Sequence, residues 1–304
     1  MPSLSSKLFI FLIRNRQIFK GKLKREIIDD SFSVEKFRAR IDKASAKMRL
    51  AKGTKAENTD INGMYAEWII PENAPEEKVL LYIHGGGFIS GSCLTHRMHV
   101  SKFAKGTGIK CLLFDYRLSP EHPFPAAVED CLKAYRFLLD SGFKPENIVI
   151  GGESAGATLT LSLLLKLKQL AFPQPKAAFS ISPLTDASCS AKSFEYNYKN
   201  DVAPKNSWKI WTEMYIAGHD TTDPLLSPQF GHFKGIPPIH LTVGSYEIHL
   251  DDCRKMAEVL KRDDVELTYK EWPNMVHAFP LLSPLFPEAK NALDEICGFV
   301  KKNL

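Results

Sequence analysis

The segment at residues 147–156 constrains the fold of this chain more than any other. It consists of an apolar run at 148–150, the pentapeptide Gly-Glu-Ser-Ala-Gly at 152–156, and then an apolar helical run at 158–168 without Gly or Pro. Glycines at both ends of such a strand-to-helix turn leave no Cβ where the chain doubles back, so the turn is expected to present the hydroxyl of the central Ser154. A glycine turn that holds an inert serine is the alternative, and the rest of the chain decides between the two.

Composition narrows the class of protein. The chain has 304 residues, 44% of them hydrophobic, which suits one α/β domain carrying an insertion or cap as well as two domains, and we favour the single domain. The net charge of +5 is mild and mostly spread along the chain, so nucleic-acid binding is not indicated. Six cysteines lie far apart, with no Cys-x-x-Cys and no metal-type pairing with His, and they are typical of reduced thiols in a cytoplasmic protein without structural metal.

Basic residues are concentrated before residue 26, where seven Lys and Arg accompany the apolar run at 8–13. This run is too short to span a bilayer or to form a secretory signal, and no small-residue cleavage site follows it. A basic amphipathic helix could lie on a membrane surface. We favour instead a helix whose apolar face packs on the rest of the protein.

The order of elements indicates an α/β fold. Helices are expected at 5–20 and 33–52, and a polar run to Asp60 ends this helical part. Strands are then expected at 64–70, 78–83, 110–114, 148–150, 176–182, 239–243 and 265–270, with helices at 95–105, 126–141 and from 157. This alternation predicts a mostly parallel, doubly wound sheet with functional loops at the carboxyl ends of its strands.

A glycine run, Gly85-Gly86-Gly87, follows the buried strand at 78–83. Such a loop can aim backbone N–H groups at a ligand, as the developing oxyanion of an ester requires. A phosphate loop is excluded, because there is no Gly-Lys-Ser/Thr ending and no Gly-x-Gly-x-x-Gly before a helix.

Three motifs together resemble the hormone-sensitive-lipase family of α/β-hydrolases. They are His84-Gly-Gly-Gly-Phe88, the loop YRLSPEHPFPA at 116–126, and Gly-Glu-Ser-Ala-Gly at 152–156. The likeness is to bacterial carboxylesterases and runs from about residue 60 to the end of the chain. It implies an α/β-hydrolase fold with a helical cap. Family members more often carry Asp or Thr where Glu153 stands, and this should alter local packing rather than the reaction.

The same resemblance implies the domain plan and the pocket. Residues 1–60 would be the N-terminal part of the cap, 61–304 the catalytic domain, and 185–230 the second cap segment. The oxyanion donors would be the N–H groups of Gly86, Gly87 and Ala155, with Gly85 shaping the loop. The aromatic residues of 185–230 also suit ordinary core. One face of a cap must meet substrate, so the expected pocket residues are Phe88, Trp208, Trp211 and Tyr215.

A serine hydroxyl needs an imidazole base, and the base needs an acid to hold its tautomer. In this fold both follow the serine along the chain. Of nine histidines we select His277, which lies just past the strand at 265–270 and whose His-Ala-Phe sequence resembles the family's histidine motif. His249 is an alternative that lies close to the acid candidates.

Glu247 and Asp251 compete as the acid. By resemblance to the family's Asp-Pro-Leu-x-Asp, Glu247 occupies the catalytic position, thirty residues before His277. Asp251 lies one helical turn later and shares its face, so it stays the alternative acid. Both also suit the first turn of a helix without any catalytic role.

These residues predict a serine carboxylesterase that acts on small-molecule esters through an acyl-enzyme, with no cofactor and no metal. The resemblance implies short acyl chains. A lactonase would use the same residues, and a membrane-associated lipase rests only on the basic N-terminus. A non-catalytic hydrolase-like receptor usually lacks the catalytic histidine, which His277 supplies here. The sequence leaves the oligomeric state open, with a homodimer among the options.

Overall fold

The computed structural model describes residues 2–15, 27–29 and 31–304. These residues form nine α-helices and eight strands. The helices are α1 (Leu4–Arg14), α2 (Val34–Ser45), α3 (Cys93–Thr107), α4 (Ala126–Asp140), α5 (Ala155–Gln169), α6 (Ser193–Tyr196), α7 (Ser207–Ile216), α8 (Leu250–Arg262) and α9 (Pro287–Asn303). The strands are β1 (Thr54–Ile61), β2 (Met64–Pro71), β3 (Val79–Ile83), β4 (Lys110–Phe114), β5 (Ile148–Glu153), β6 (Ala177–Ile181), β7 (Ile239–Gly244) and β8 (Leu267–Trp272).

All eight strands form one sheet in the order β1-β2-β4-β3-β5-β6-β7-β8. The strands from β4 to β8 in this order are parallel, whereas β1, β2 and β4 pair antiparallel at one edge. The prediction of a mostly parallel sheet is confirmed. Helices α4, α5 and α8 pack on one face and α3 and α9 on the other. Because both faces are covered, β3 and β5 are entirely buried and carry continuous apolar runs.

The polar run to Asp60 was predicted to end the helical part of the chain, which it does, but no strand was predicted in this run. It is the edge strand β1, which pairs with β2 from Thr54 opposite Pro71 to Ile61 opposite Met64. Only Ile61 of this strand is fully buried, so β1 has no alternation of apolar residues for a sequence pattern to detect. Its stability comes from backbone pairing with β2, which is a tertiary feature.

The N-terminal helices are shorter than predicted. Helix α1 ends at Arg14 and α2 at Ser45, where the patterns suggested 20 and 52. Residues 16–20 of the predicted first helix, and the basic residues between 16 and 25, lie outside the described residues. Helix α1 buries Ile10 and sets Phe9 against Phe286, with ring centroids 5.5 Å apart. No described helix is long and apolar enough to cross a membrane.

Helix α2 lies over the loops that follow β3 and β4. Its Arg38 donates to both carboxylate oxygens of Glu121 at 2.8 Å, and also to the carbonyls of Ile89 (2.6 Å) and Ser119 (2.8 Å). These loops stand at the carboxyl ends of parallel strands. Helix α2 is therefore held above the edge of the sheet where functional loops are expected.

Candidate active site

Ser154 occupies the sharp turn between β5 and α5. Its backbone has φ 58° and ψ −125°, a conformation that costs a non-glycine residue about 1–3 kcal/mol. A Cβ on Gly152 or Gly156 would overlap the carbonyl oxygen of Ile83, so only glycine fits on either side. The Ser154 N–H donates to the carbonyl of Ile181 at 2.8 Å, which ties the turn to β6. The strain is thus held by the neighbouring strands.

His277 and Glu247 meet although thirty residues separate them. Glu247 follows β7 and His277 follows β8, and His277 Nδ1 lies 3.0 Å from Glu247 Oε2. The other oxygen of Glu247 accepts hydrogen bonds from Ser182 Oγ (2.8 Å) and from the Gly244 N–H (2.5 Å). Three donors therefore hold this fully buried carboxylate in one orientation, with Nδ1 as the donor from the imidazole.

Acidic neighbours favour the protonated form of His277. Burial opposes the imidazolium, but the hydrogen bond and charge of Glu247, followed by the charges of Asp201 and Glu153, raise the pKa of His277 above its ordinary value. His249, whose ring centroid lies 5.2 Å away, is affected in the opposite direction. Burial and the nearby His277 hold the pKa of His249 well below its ordinary value. Of these two imidazoles, His277 is the one equipped to accept a proton.

Ser154 and His277 line the same cavity, which has a volume of about 270 Å³. Within the described part of the chain no hydrogen bond joins the Ser154 hydroxyl to the His277 ring. Such bonds are often long in a free enzyme and tighten when substrate binds. Both residues therefore contribute to the lining of one cavity, whereas Glu247 contacts the histidine without lining that cavity.

The glycine loop after β3 lies directly beside Ser154, since a Cβ on Gly85 would meet the Ser154 Cβ at 3.0 Å. Gly85, Gly86 and Gly87 all line the cavity, and Gly86 has φ 125°, which only glycine adopts readily. The Gly85 N–H donates to Glu153 Oε1 at 2.5 Å and is therefore occupied. The N–H groups of Gly86 and Gly87 find no acceptor among the described residues, nor does that of Ala155, the first residue of α5. They are the donors available to a bound oxyanion.

Glu153 contributes more than local packing. Its carboxylate is buried and contacts Tyr82 Oη (2.5 Å) and His96 Nε2 (2.9 Å) in addition to the Gly85 N–H. Burial opposes its charge, but His96 and the hydrogen bonds from Tyr82 and Gly85 lower its pKa. A charged Glu153 thus links the serine turn to the glycine loop and holds the two at a constant separation.

The alternative acid, Asp251, and the alternative base, His249, do not line the cavity. Asp251, in α8, accepts hydrogen bonds from Tyr196 Oη (2.8 Å) and Arg254 (3.2 Å) in a partly exposed cluster. His249 is fully buried, with the ring of Trp208 edge-on at 4.2 Å. Its ring nitrogens find no hydrogen-bond partner within the described residues. The structure joins His277 to Glu247 and leaves Asp251 outside.

The cavity walls differ in part from the predicted pocket. Trp208 and Trp211 line the cavity, whereas Phe88 and Tyr215 are buried behind it and stack on each other with centroids 3.9 Å apart. Sequence reasoning missed several lining residues, which are Phe37 and Ile41 of α2, Val202, Ala203, Ala278 and Leu281. The i, i+4 spacing of Phe37 and Ile41 was a signal that could have found the first two.

All six cysteines are unpaired, and five of them are buried. Among residues 2–15, 27–29 and 31–304, no group of three or more His, Cys, Asp or Glu side chains is arranged to hold a metal ion.

Comparisons with known proteins agree with one another. A family model described as the alpha/beta hydrolase fold matches residues 80–281. An acetyl-hydrolase of Streptomyces hygroscopicus is 36% identical over 78% of this chain and 79% of its own length. An esterase of Acinetobacter venetianus is 35% identical over 76% of this chain and 77% of its own length.

Solved structures give the same result over nearly the whole chain. An esterase from the bacterial hormone-sensitive lipase family has a TM-score of 0.90 and 33% identity, covering 100% of this chain and 99% of its own. An esterase whose crystals were soaked with p-nitrophenyl butyrate has a TM-score of 0.90 and 33% identity, with 99% of both chains covered.

Proposed function

Since this chain belongs to the hormone-sensitive-lipase family of α/β-hydrolases and is a carboxylic ester hydrolase, we propose that it cleaves short-chain esters through an acyl-enzyme on Ser154. The observation that carries the proposal is the His277–Glu247 pair at 3.0 Å on the wall of a cavity shared with Ser154 and the glycine loop. Base, oriented acid, nucleophile and free N–H donors converge there.

Acylation begins when His277 Nε2 takes the proton of Ser154 and Oγ attacks the ester carbonyl. Glu247 holds the proton on Nδ1, which leaves Nε2 unprotonated and stabilises the imidazolium as it forms. The carbonyl oxygen becomes an oxyanion between the N–H groups of Gly86, Gly87 and Ala155. The tetrahedral intermediate then collapses. The bond between the acyl carbon and the alcohol oxygen breaks, and His277 protonates that oxygen so that the alcohol leaves.

Deacylation repeats these steps with water. His277 takes a proton from the water as it attacks the acyl carbon, the same N–H groups hold the oxyanion, and the proton then returns to Ser154 Oγ as the acid leaves. Because all proton transfers use one imidazole, the reaction requires a neutral His277 in the free enzyme. Activity should therefore fall on the acid side of the His277 pKa, which Glu247 raises.

A cap over the cavity supports the preference for short chains. Phe37 of α2 packs against Trp211 of α7 with ring centroids 5.4 Å apart, so the segments at 1–60 and 185–230 meet above Ser154. The cavity of about 270 Å³ falls below the range of about 300–1,000 Å³ usual for drug-sized ligands. We propose that these two segments form the cap and limit the acyl chain.

The proposed function is tested with p-nitrophenyl esters of increasing acyl length. We expect kcat/KM for acetyl and butyryl esters to exceed that for decanoyl esters by about tenfold or more, since each methylene that the pocket rejects costs about 1 kcal/mol. Equal or higher rates on decanoyl esters, or on emulsified lipids, would contradict the short-chain assignment. A lactone panel, run in parallel, would favour the lactonase if its rates exceeded those of all linear esters.

Gly86 provides a test of the oxyanion loop. In Gly86→Ala the new Cβ would overlap the carbonyl oxygen of Ser90, so the loop must move and misplace its donors. We expect kcat to fall about 10²-fold or more. Gly63→Ala is the matched control, because Gly63 also has positive φ (89°) but meets nothing within 4 Å. If both variants keep full activity, the assignment of the donors is wrong.

A cytoplasmic location stays a prediction from the sequence, and a homodimer stays one option for the assembly.

A further inference from the structure

Three buried polar side chains in the second cap segment form hydrogen bonds with the backbone of the turn that carries Glu247. Ser193 Oγ donates to the carbonyl of Ile248 at 2.5 Å, and Asn197 Nδ2 donates to the carbonyls of Ser245 (2.9 Å) and Glu247 (2.8 Å). Asp201 Oδ2 accepts from the Ile248 N–H at 2.9 Å. The three follow one another at intervals of four residues, and all are at most 3% exposed.

Asp201 differs from the other two because it also reaches the histidine loop. Its Oδ1 accepts from the N–H of His277 at 3.2 Å and from its neighbour Val202 at 2.7 Å. One carboxylate therefore joins the residue after Glu247 to His277 itself. Ser182 makes the reciprocal link, since its hydroxyl donates to Glu247 and accepts from the Ala278 N–H at 3.2 Å.

We propose that Asp201 is a positioning residue that holds the Glu247 turn and the His277 loop at the separation needed for their hydrogen bond, and so couples the second cap segment to the active site. Asp201 does not line the cavity, although the next two residues, Val202 and Ala203, do. It therefore acts through Glu247 and His277 rather than on substrate. The inference rests on the proposed roles of these two residues.

The charge of Asp201 gives its role a distinct readout. The titratable groups that face His277 are Glu247, Asp201, Glu153 and the neutral His249, and Glu153 is also paired with His96. Of the three carboxylates, Glu247 contributes most to raising the pKa of His277, and Asp201 is next. Removing the charge of Asp201 should lower that pKa, and the acid limb of kcat/KM should then move to lower pH.

Asp201→Asn is the primary test. Its amide nitrogen must face a backbone N–H of either Ile248 or His277, so one loop is released. We expect kcat to fall roughly 10- to 100-fold and the acid limb to move down by about 0.5–1 pH unit. KM should stay within about threefold, because substrate contacts are kept. Circular dichroism checks that the variant is folded.

Two further variants make the result specific. Asp201→Glu keeps the charge but changes the reach, so kcat should fall while the acid limb stays within about 0.3 pH unit of the wild type. This variant also decides the case if Asp201→Asn does not fold, since unchanged kcat would refute the positioning role. Asp186→Asn is the matched control, because among the described residues this mostly buried carboxylate in the same segment bonds only to Ser188, Ser190 and Gln229. It should leave kcat and the acid limb unchanged.

An Asp201→Asn variant with wild-type kcat and acid limb would overturn the proposal. So would a lower kcat with an unmoved acid limb, which would assign Asp201 to folding alone. NMR titration of the His277 ring in the same variants reads the charge effect without turnover. Absence of ester turnover by the wild type would count against the proposed function, whereas an unmoved His277 titration would count against Asp201.

Discussion

Replacing Ser154 with alanine is expected to lower kcat for ester hydrolysis by about 10⁴-fold or more, because the variant lacks the hydroxyl that forms the acyl-enzyme in the proposed mechanism. Ser154 is the serine in the strained turn on the cavity wall, and alanine keeps the backbone of that turn. Turnover of p-nitrophenyl acetate gives the rate. Mass spectrometry after treatment with a sulfonyl fluoride should show one adduct on the wild type and none on Ser154→Ala.

The control for this variant is Ser180→Ala. Ser180 is a fully buried serine in the core of the sheet, but its hydroxyl donates to the carbonyl of Ala157 at 3.2 Å and does not line the cavity. Its loss should lower the free energy of unfolding by about 1 kcal/mol and leave kcat nearly unchanged. Full turnover by Ser154→Ala, or an adduct on another residue of that variant, would show that the proposed nucleophile is wrong.

Replacing Glu247 with glutamine is expected to lower kcat by about 10⁴-fold, whereas Asp251→Asn should change it less than about twofold. The reason lies in the donors around Glu247. Gly244 and Ser182 donate to Oε1, so the glutamine oxygen takes that place and the amide nitrogen faces His277. Nδ1 must then accept, the proton moves to Nε2, and His277 cannot receive the proton of Ser154.

Parallel measurements on the two variants decide between the acids. Both substitutions remove one negative charge, and circular dichroism shows whether each variant is folded. Asp251 contacts Tyr196 and Arg254 at a partly exposed position, so its loss should have only a small effect on stability. A large loss of kcat in Asp251→Asn with little effect of Glu247→Gln would reverse the assignment of the acid.

Much of the fold was predictable because its signals are local. The buried runs of β3, β4 and β5 are continuous and apolar, and glycine marks the turns after β3 and β5. These features depend on residues within one short segment, and the predicted parallel sheet is confirmed. Strand β1 was missed for the converse reason, because a mostly exposed edge strand is stabilised by pairing with its neighbour and not by its own pattern.

The sequence by itself determined the strand, turn and helix around Ser154, the glycine loop, and the order of serine, acid and histidine along the chain. Only the tertiary structure decided which acid faces His277, which aromatic residues reach the cavity, and that Asp201 bridges two loops. The His277 N–H and Asp201 are 76 residues apart in the chain. Their contact exists because parallel strands bring the ends of β7 and β8 to one edge of the sheet, beneath the second cap segment. The spacing of residues along the chain does not predict such a contact.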